Sequence, residues 1–459
     1  MTSLRQVLAG ALAGGADRQA RLIGPAGALS LTDLAERTGL GQARDALAGR
    51  AVLVRTRAQL AAAQALVELD GLARRLVLCS PDLDEAHLPG VAERAGIEAV
   101  VTDDAALALP LPGLPAYELA APTGLADTPV GEPLATEWLM FTSGTTGAPK
   151  MVIHSLAGLT GAIQPRPAGA AAPVWGTFYD IRRYGGLQIL LRALAGGSTM
   201  ALSDRDEPTA AFLARLAAAG VTHQSGTPSH WRWALMNPEL RLIDPAYVRL
   251  SGEIADQAVL DSLKAFFPKA AVGHAYASTE AGVGFEVTDG LEGFPASFVT
   301  GEGLVAMKVV DGALHIRSRR TASGYAGHEA ALADADGFVD TGDMVELRGD
   351  RYYFAGRRGG VINIGGLKVH PEEIEAVINR HPAVRMSRVM ARRNPITGAL
   401  VAAEVVRTDE ALGEDEAAVK ASILAACRQV LPPYKTPASL RFVEALAVTA
   451  GGKLDRSHA

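Results

Sequence analysis

Short, wholly apolar runs alternate with helical periodicity in the first third of the chain. Ala51-Val52-Leu53-Val54, Leu76-Val77-Leu78-Cys79 and Ala99-Val100-Val101-Thr102 have the length and flanks of buried strands. The alanine-rich stretch from Ala58 to Leu69 reads as a helix between the first two. Strand, helix and strand in repetition predict a parallel sheet with helices on its faces. A connector rich in proline and glycine, Pro110 to Pro133, leads to another apolar run, Trp138-Leu139-Met140-Phe141, and Met151-Val152-Ile153-His154 is again strand-like. Val259, Leu260, Leu263 and Phe267 recur at helical spacing until Pro268. Near the C-terminus, Ile364 to Val369 gives a strand–turn signal. Pro371, followed by Glu372 and Glu373, opens a helix with Ile374, Val377 and Ile378 on one face.

Composition narrows the field. At 459 residues the chain exceeds one core of ordinary size, so two or more domains are expected. Lys plus Arg number 44 against 50 Asp plus Glu, with no basic block, so nucleic acid is not an expected partner. Cys79 and Cys427 make neither a disulfide framework nor a metal-ligand spacing, and Cys427 falls on the apolar face of a helix. The N-terminus lacks the apolar core of a signal peptide and no run is long enough to span a bilayer, so the expectation is cytoplasmic.

The candidate chemistry begins between two of these strands, at Phe141-Thr142-Ser143-Gly144-Thr145-Thr146-Gly147-Ala148-Pro149-Lys150. Glycines let backbone N–H groups close on an oxyanion, the hydroxyls add uncharged donors, and Lys150 supplies a cation. A Walker A loop ends in Gly-Lys-[Ser/Thr] and opens a helix. Here Pro149 precedes the lysine and a strand follows, which argues against a P-loop ATPase. The spelling resembles instead the signature of the adenylate-forming superfamily: acyl- and aryl-CoA synthetases, adenylation domains and luciferases. Later stretches continue the resemblance in order. Ser251-Gly252-Glu253 is similar to the turn beside adenine. His274-Ala275-Tyr276-Ala277-Ser278-Thr279-Glu280 resembles a Tyr-Gly-x-Thr-Glu segment, with Ala277 in place of the glycine. Asp340-Thr341-Gly342-Asp343, Gly356-Arg357-Arg358-Gly359-Gly360 and Gly451-Gly452-Lys453 complete the series.

The resemblance implies an α/β fold: a large multi-subdomain adenylating domain over 1–355, a hinge at 356–360 and a small mobile α+β lid over 361–459. It implies ATP, Mg²⁺ and coenzyme A as cofactors. Thr142, Ser143, Gly144, Thr145, Thr146, Gly147 and Lys150 would hold phosphates, Tyr276 would stack on adenine, and Asp343 and Arg357 would reach the ribose. Thr279 would bond the α-phosphate, Glu280 would hold the metal, and Lys453 would be the catalytic lysine. Gly365 and Gly366 would line a thiol-access tunnel. Pocket candidates are Arg183, Tyr184, Gly185, His230 and Trp231, with His223 and Trp233 beside them; for the aromatics core packing is the other reading, since large aromatics dominate interiors. Arg183 stands where the family usually has histidine, and two readings stay open: a site for a second anionic group of the substrate, or a surface arginine paired with Asp180. The usual acidic hinge residue is replaced by Gly359.

These features predict ATP-dependent activation of a small acid, aryl or short polar acyl, followed by transfer to coenzyme A. An alternative passes the adenylate to a carrier protein or an amine, including activation of nitrite for diazotisation of an aromatic amine. A reading of another class is an inactive nucleotide-binding paralogue. Three residues follow Arg456, so no fused carrier or thioesterase domain is expected.

Overall fold

The computed structural model describes residues 2–15, 17, 19–125, 132–142, 149–167, 169–327, 331–364, 367–394, 398–449 and 451–456. Helix α1 (Leu4–Ala13) precedes the predicted repeat, which forms as β1 (Ala51–Arg55), α2 (Gln59–Leu69), β2 (Arg75–Cys79) and β3 (Ala99–Thr102). Strand β1 lies between β2 and β3 and pairs in parallel with both. The apolar run ahead of the phosphate loop is β4 (Glu137–Phe141), parallel to β2, and the run after it is β5 (Met151–Ser155), antiparallel to β4. Every residue of β1 is buried because both faces of the sheet are covered: Val52 and Val54 enter one core cluster and Leu53 another.

A second sheet builds the site. Helix α3 (Tyr184–Ala195), β6 (His223–Gly226), α4 (Pro228–Leu235), β7 (Tyr247–Ser251), α5 (Gln257–Phe266), β8 (Ala271–Ser278) and β9 (Gly282–Val287) follow in order. Strands β6, β7 and β8 are parallel neighbours and β9 closes that edge antiparallel. Val248 and Leu250 of β7 share a core with α4 and α5. Alternation along the strand therefore turns Arg249 to the opposite face, where Trp175 packs with the leucines of α3. A third, five-stranded sheet contains β10 (Val339–Arg348) and β11 (Arg351–Arg357).

The C-terminal part has its own core. Helix α6 (Pro371–Ile378) starts at the predicted proline with Ile374 and Ile378 buried. It packs with β12 (Val384–Asn394) and α7 (Glu416–Val430), whose Cys427 is buried, and β13 (Gly398–Arg407) contributes to the same core. Among the described residues no helix is long and apolar enough to cross a membrane.

Candidate active site

The sequence motifs converge where the ends of β7 and β8 meet β10, β11 and the C-terminal tail. Thr142 donates its N–H to the Lys150 carbonyl at 3.0 Å, so the two ends of the phosphate loop close on each other. Ser143, Gly144, Thr145, Thr146 and Gly147 lie outside the described residues, as do Gly365 and Gly366 of the expected thiol tunnel. Lys150 reaches over the Tyr325 ring, with Nζ 5.5 Å from its centroid. Tyr325 lines a cavity of about 190 Å³ together with Ser278, Glu280, Asp340, Thr341, Gly342 and Arg357. Burial raises the Tyr325 pKa, the Glu280 carboxylate pushes the same way, and Arg357 opposes them.

Tyr276 donates its hydroxyl to Asp343 at 2.6 Å, and Arg357 Nε donates to the other Asp343 oxygen at 3.0 Å. The Tyr276 ring lies nearly parallel to Phe285 and Phe354, with interplanar angles of 17° and 10°. The residues expected at adenine and ribose are thus one bonded unit. Beneath the turn after β8, His154 bonds the Thr279 carbonyl at 2.7 Å. Burial lowers the His154 pKa to about 4, although the carbonyl works against it, so the ring is neutral at pH 7. His154 is a supporting residue the sequence did not mark; it lies 125 positions away from Thr279.

The tail brings Lys453 into this group. Leu454 donates its N–H to Glu253 at 2.8 Å, and Ser229 donates to the other Glu253 oxygen at 3.0 Å. Thr227 donates its hydroxyl to the Gly452 carbonyl at 2.5 Å. Gly452 has φ +69°, and a Cβ there would fall 1.8 Å from the His230 ring. The His230 ring bonds Thr227, stacks on Phe178, and is kept neutral by burial, with a pKa near 4. Lys453 is open to water, yet protein surrounds it on most sides. Loss of hydration lowers its pKa; Arg357 and Arg183 push the same way, while Glu253 and Asp343 oppose.

Several expectations need correction. Asp180 does not pair with Arg183: Arg182 takes it with two bonds, at 2.8 and 2.6 Å. Arg183 pairs instead with Asp82 at 2.5 Å, with its guanidinium beside Gly451 of the lysine loop. Burial would raise the Asp82 pKa, but the Arg183 charge and the Ser80 hydroxyl hold it low. Trp231 is a core residue, fully enclosed, edge-on to Phe178 and Phe267, and donating to the Arg249 carbonyl. Trp233 packs with Met386, Val406, Leu446 and Leu454 of the C-terminal part. Tyr184 is enclosed, its hydroxyl oxygen accepting from the Val283 N–H, and Gly185 faces the Tyr179 ring.

The AMP-binding enzyme family model matches residues 48–326, and its C-terminal domain model matches 373–453. This chain belongs to the AMP-binding enzyme family. Among curated relatives, human acyl-coenzyme A synthetase ACSM5 is 34% identical over 28% of this chain. That alignment spans only 22% of the relative's length, about a fifth. The sulfoacetate–CoA ligase of Cupriavidus necator is 28% identical over 83% of this AMP-binding enzyme and 77% of the ligase. Among solved structures, the amide bond synthetase McbA from Marinactinospora thermotolerans superposes with a TM-score of 0.79 at 19% identity. The match covers 99% of this chain and 98% of that one, and at this identity it establishes the fold.

Proposed function

We propose that this AMP-binding enzyme activates a small carboxylic acid with ATP as an acyl-adenylate, releasing pyrophosphate, and then passes the acyl group to coenzyme A. The observation that carries the reading is the seating of the Lys453 loop. Glu253 and Thr227 hold it so that the ammonium lies among Glu253, Arg357, Asp343 and Arg183, next to the unit assigned to the nucleoside.

A carboxylate is a poor electrophile because its leaving group would be oxide. Its oxygen attacks the α-phosphorus, the bond to the β-phosphate breaks, and AMP becomes the leaving group of the activated acid. Lys453 offsets the negative charge that gathers between carboxylate and α-phosphate. Asp343 accepts from the ribose hydroxyls, with Arg357 holding its orientation. Lys150 and the Thr142–Lys150 loop hold the outer phosphates. Glu280 is a single hard carboxylate at an open polar cavity, and among the described residues no cluster of three metal-ligating side chains forms. That donor set fits Mg²⁺, which takes one or two carboxylates together with substrate phosphates. When bound, the ion would neutralise charge on those phosphates.

The second half-reaction needs Lys453 withdrawn. The turn Arg358–Gly360 is the proposed pivot between the 1–355 and 361–459 units, and side chains at Gly359 and Gly360 would meet no neighbour within 4 Å. Transfer to an amine in place of the thiol keeps the first half-reaction and changes only the acceptor. The test is pyrophosphate release across a panel of carboxylic acids and nitrite, with and without coenzyme A. Acid-dependent pyrophosphate with AMP formation stimulated by coenzyme A supports the ligase. Product only with nitrite and an arylamine selects the diazotising alternative, and ADP alone removes adenylation. Lys453→Ala should abolish adenylate formation while ATP still binds.

A further inference from the structure

Behind the lysine loop, the face of β7 that packs toward α3 carries more positive charge than its surroundings neutralise. Arg249 is 7% exposed. The carboxylate nearest to it among the described residues is Glu286, 4.0 Å from Nε, and that carboxylate also accepts the Tyr247 hydroxyl. Arg192, on the last turn of α3, faces the same group: its charge interacts with Arg249, Arg320, Glu286 and Tyr184. Its buried Nε has no hydrogen-bond partner, and no described carboxylate lies within ion-pair reach. Arg320, whose charge also presses on Arg192, donates to the Val283 carbonyl, so Arg249 and Arg192 are left to share the one carboxylate. Ser225, in register with Arg249 on the neighbouring strand, is fully buried with an unpartnered hydroxyl. Gly273, opposite on the other side, contributes no side chain to this face.

A helix-terminal arginine such as Arg192 is ordinarily explained by the helix dipole. That account leaves Arg249 unexplained, because a mid-strand guanidinium this buried is expected to be paired. Burial lowers the pKa of both groups, Arg192 to about 10, yet a guanidinium at that value is still charged at pH 7.

We propose that Arg249 and Arg192, with the Ser225 hydroxyl, form a second anion subsite, so the acid activated here carries a second anionic group, a carboxylate, sulfonate or phosphate. Planar guanidiniums match such oxyanions bidentately. The scale fits a small substrate. Arg249 lies two strand residues, about 7 Å, before Ser251, whose successor Gly252 borders the Lys453 side chain. One ring or a short chain spans that interval. This substrate class rests on the adenylation reading. Arg183, with its charge already matched by Asp82, is the lesser candidate for the same task.

The test pairs each dianionic acid with a neutral-tailed counterpart: terephthalate with 4-methylbenzoate, succinate with butyrate, sulfoacetate with propanoate. Pyrophosphate release gives kcat/KM for each, in the parent, Arg249→Met and Arg192→Met, and melting temperature is measured alongside. The expected result is preference for the dianionic member and a rise in its KM on the order of 100-fold in either variant. The KM for ATP should be unchanged and the melting temperature equal or higher, since an unmatched buried charge has been removed. Equal or better turnover of the neutral-tailed acids by the parent overturns the subsite and leaves adenylation standing. A fall in melting temperature with unchanged preference makes the arginines structural and also overturns it. Absence of acid-dependent pyrophosphate throughout, with ADP as the product, removes the adenylation reading itself.

Discussion

Gly452 and His230 determine how the lysine loop seats. The positive φ at Gly452 is one that other residues adopt at a cost of about 1 kcal/mol. The larger obstacle is the His230 ring, into which any side chain at 452 would project. Gly452→Ala should therefore lower adenylate formation about 100-fold or more while nucleotide binding persists, read by single-turnover kinetics. Adding His230→Ala should restore part of the rate, because the ring is the clash. Failure of the double variant to recover would place the fault in the backbone alone. Lys453 adds a pH signature. Its pKa lies below the ordinary lysine value of 10.5, and the role proposed for it needs the protonated form. Adenylation should fall on an alkaline limb centred below 10.5, and that limb should move up in Lys453→Arg if the variant retains activity.

Single elements show what the sequence disclosed and what it hid. Strands β1 to β5 were legible because each is a continuous apolar run between turn signals, and α6 because a proline and two acids precede its apolar stripe. The phosphate loop could be proposed from the sequence because its chemistry is local. Arg249 was not, since reading it as a site residue requires the strand's facing and its register against Ser225. Nor were Arg183–Asp82 and His154–Thr279, whose partners lie 101 and 125 residues apart. The anchoring of α1 was hidden for the same reason. Asp70, at the C-terminus of α2, accepts the Leu4 N–H at 2.7 Å and the Trp138 indole at 2.8 Å, all buried. Burial outweighs those two bonds and raises its pKa from 3.8 to about 6. A raised carboxyl pKa means the fold prefers the protonated form. Its contribution is complete below pH 4 and is lost as pH rises through 6, amounting to about 3 kcal/mol. The melting temperature of the parent should thus decline relative to Asp70→Asn between pH 4 and 7. A constant difference across that range would mean Asp70 titrates normally.

At the scale of the molecule, the C-terminal part is held against the larger part by contacts outside the reacting centre. Trp233 and Met236, on α4 and just beyond it, join Met386, Val406, Leu446 and Leu454 in one apolar cluster. Asn379 donates to Asp256 at 3.1 Å, and Arg380 pairs with Glu292 at 2.6 Å. The Trp233 Nε1 is buried without a partner, so this indole contributes through its area and not through a hydrogen bond. If the two half-reactions use different placements of the small part, these contacts favour the one that seats Lys453. Trp233→Ala removes the largest apolar group of the cluster, and a loss of about 1.4 kcal/mol in that placement alone is tenfold in its population. Adenylate formation from acid and ATP should then slow about tenfold or more. Thioester formation from supplied acyl-adenylate and coenzyme A should keep the parent rate or exceed it, because that step needs the seat vacated. The two rates are measured separately by rapid quench. A parallel fall in both would show that the indole serves only the stability of α4, and the two-placement reading would lose its structural basis.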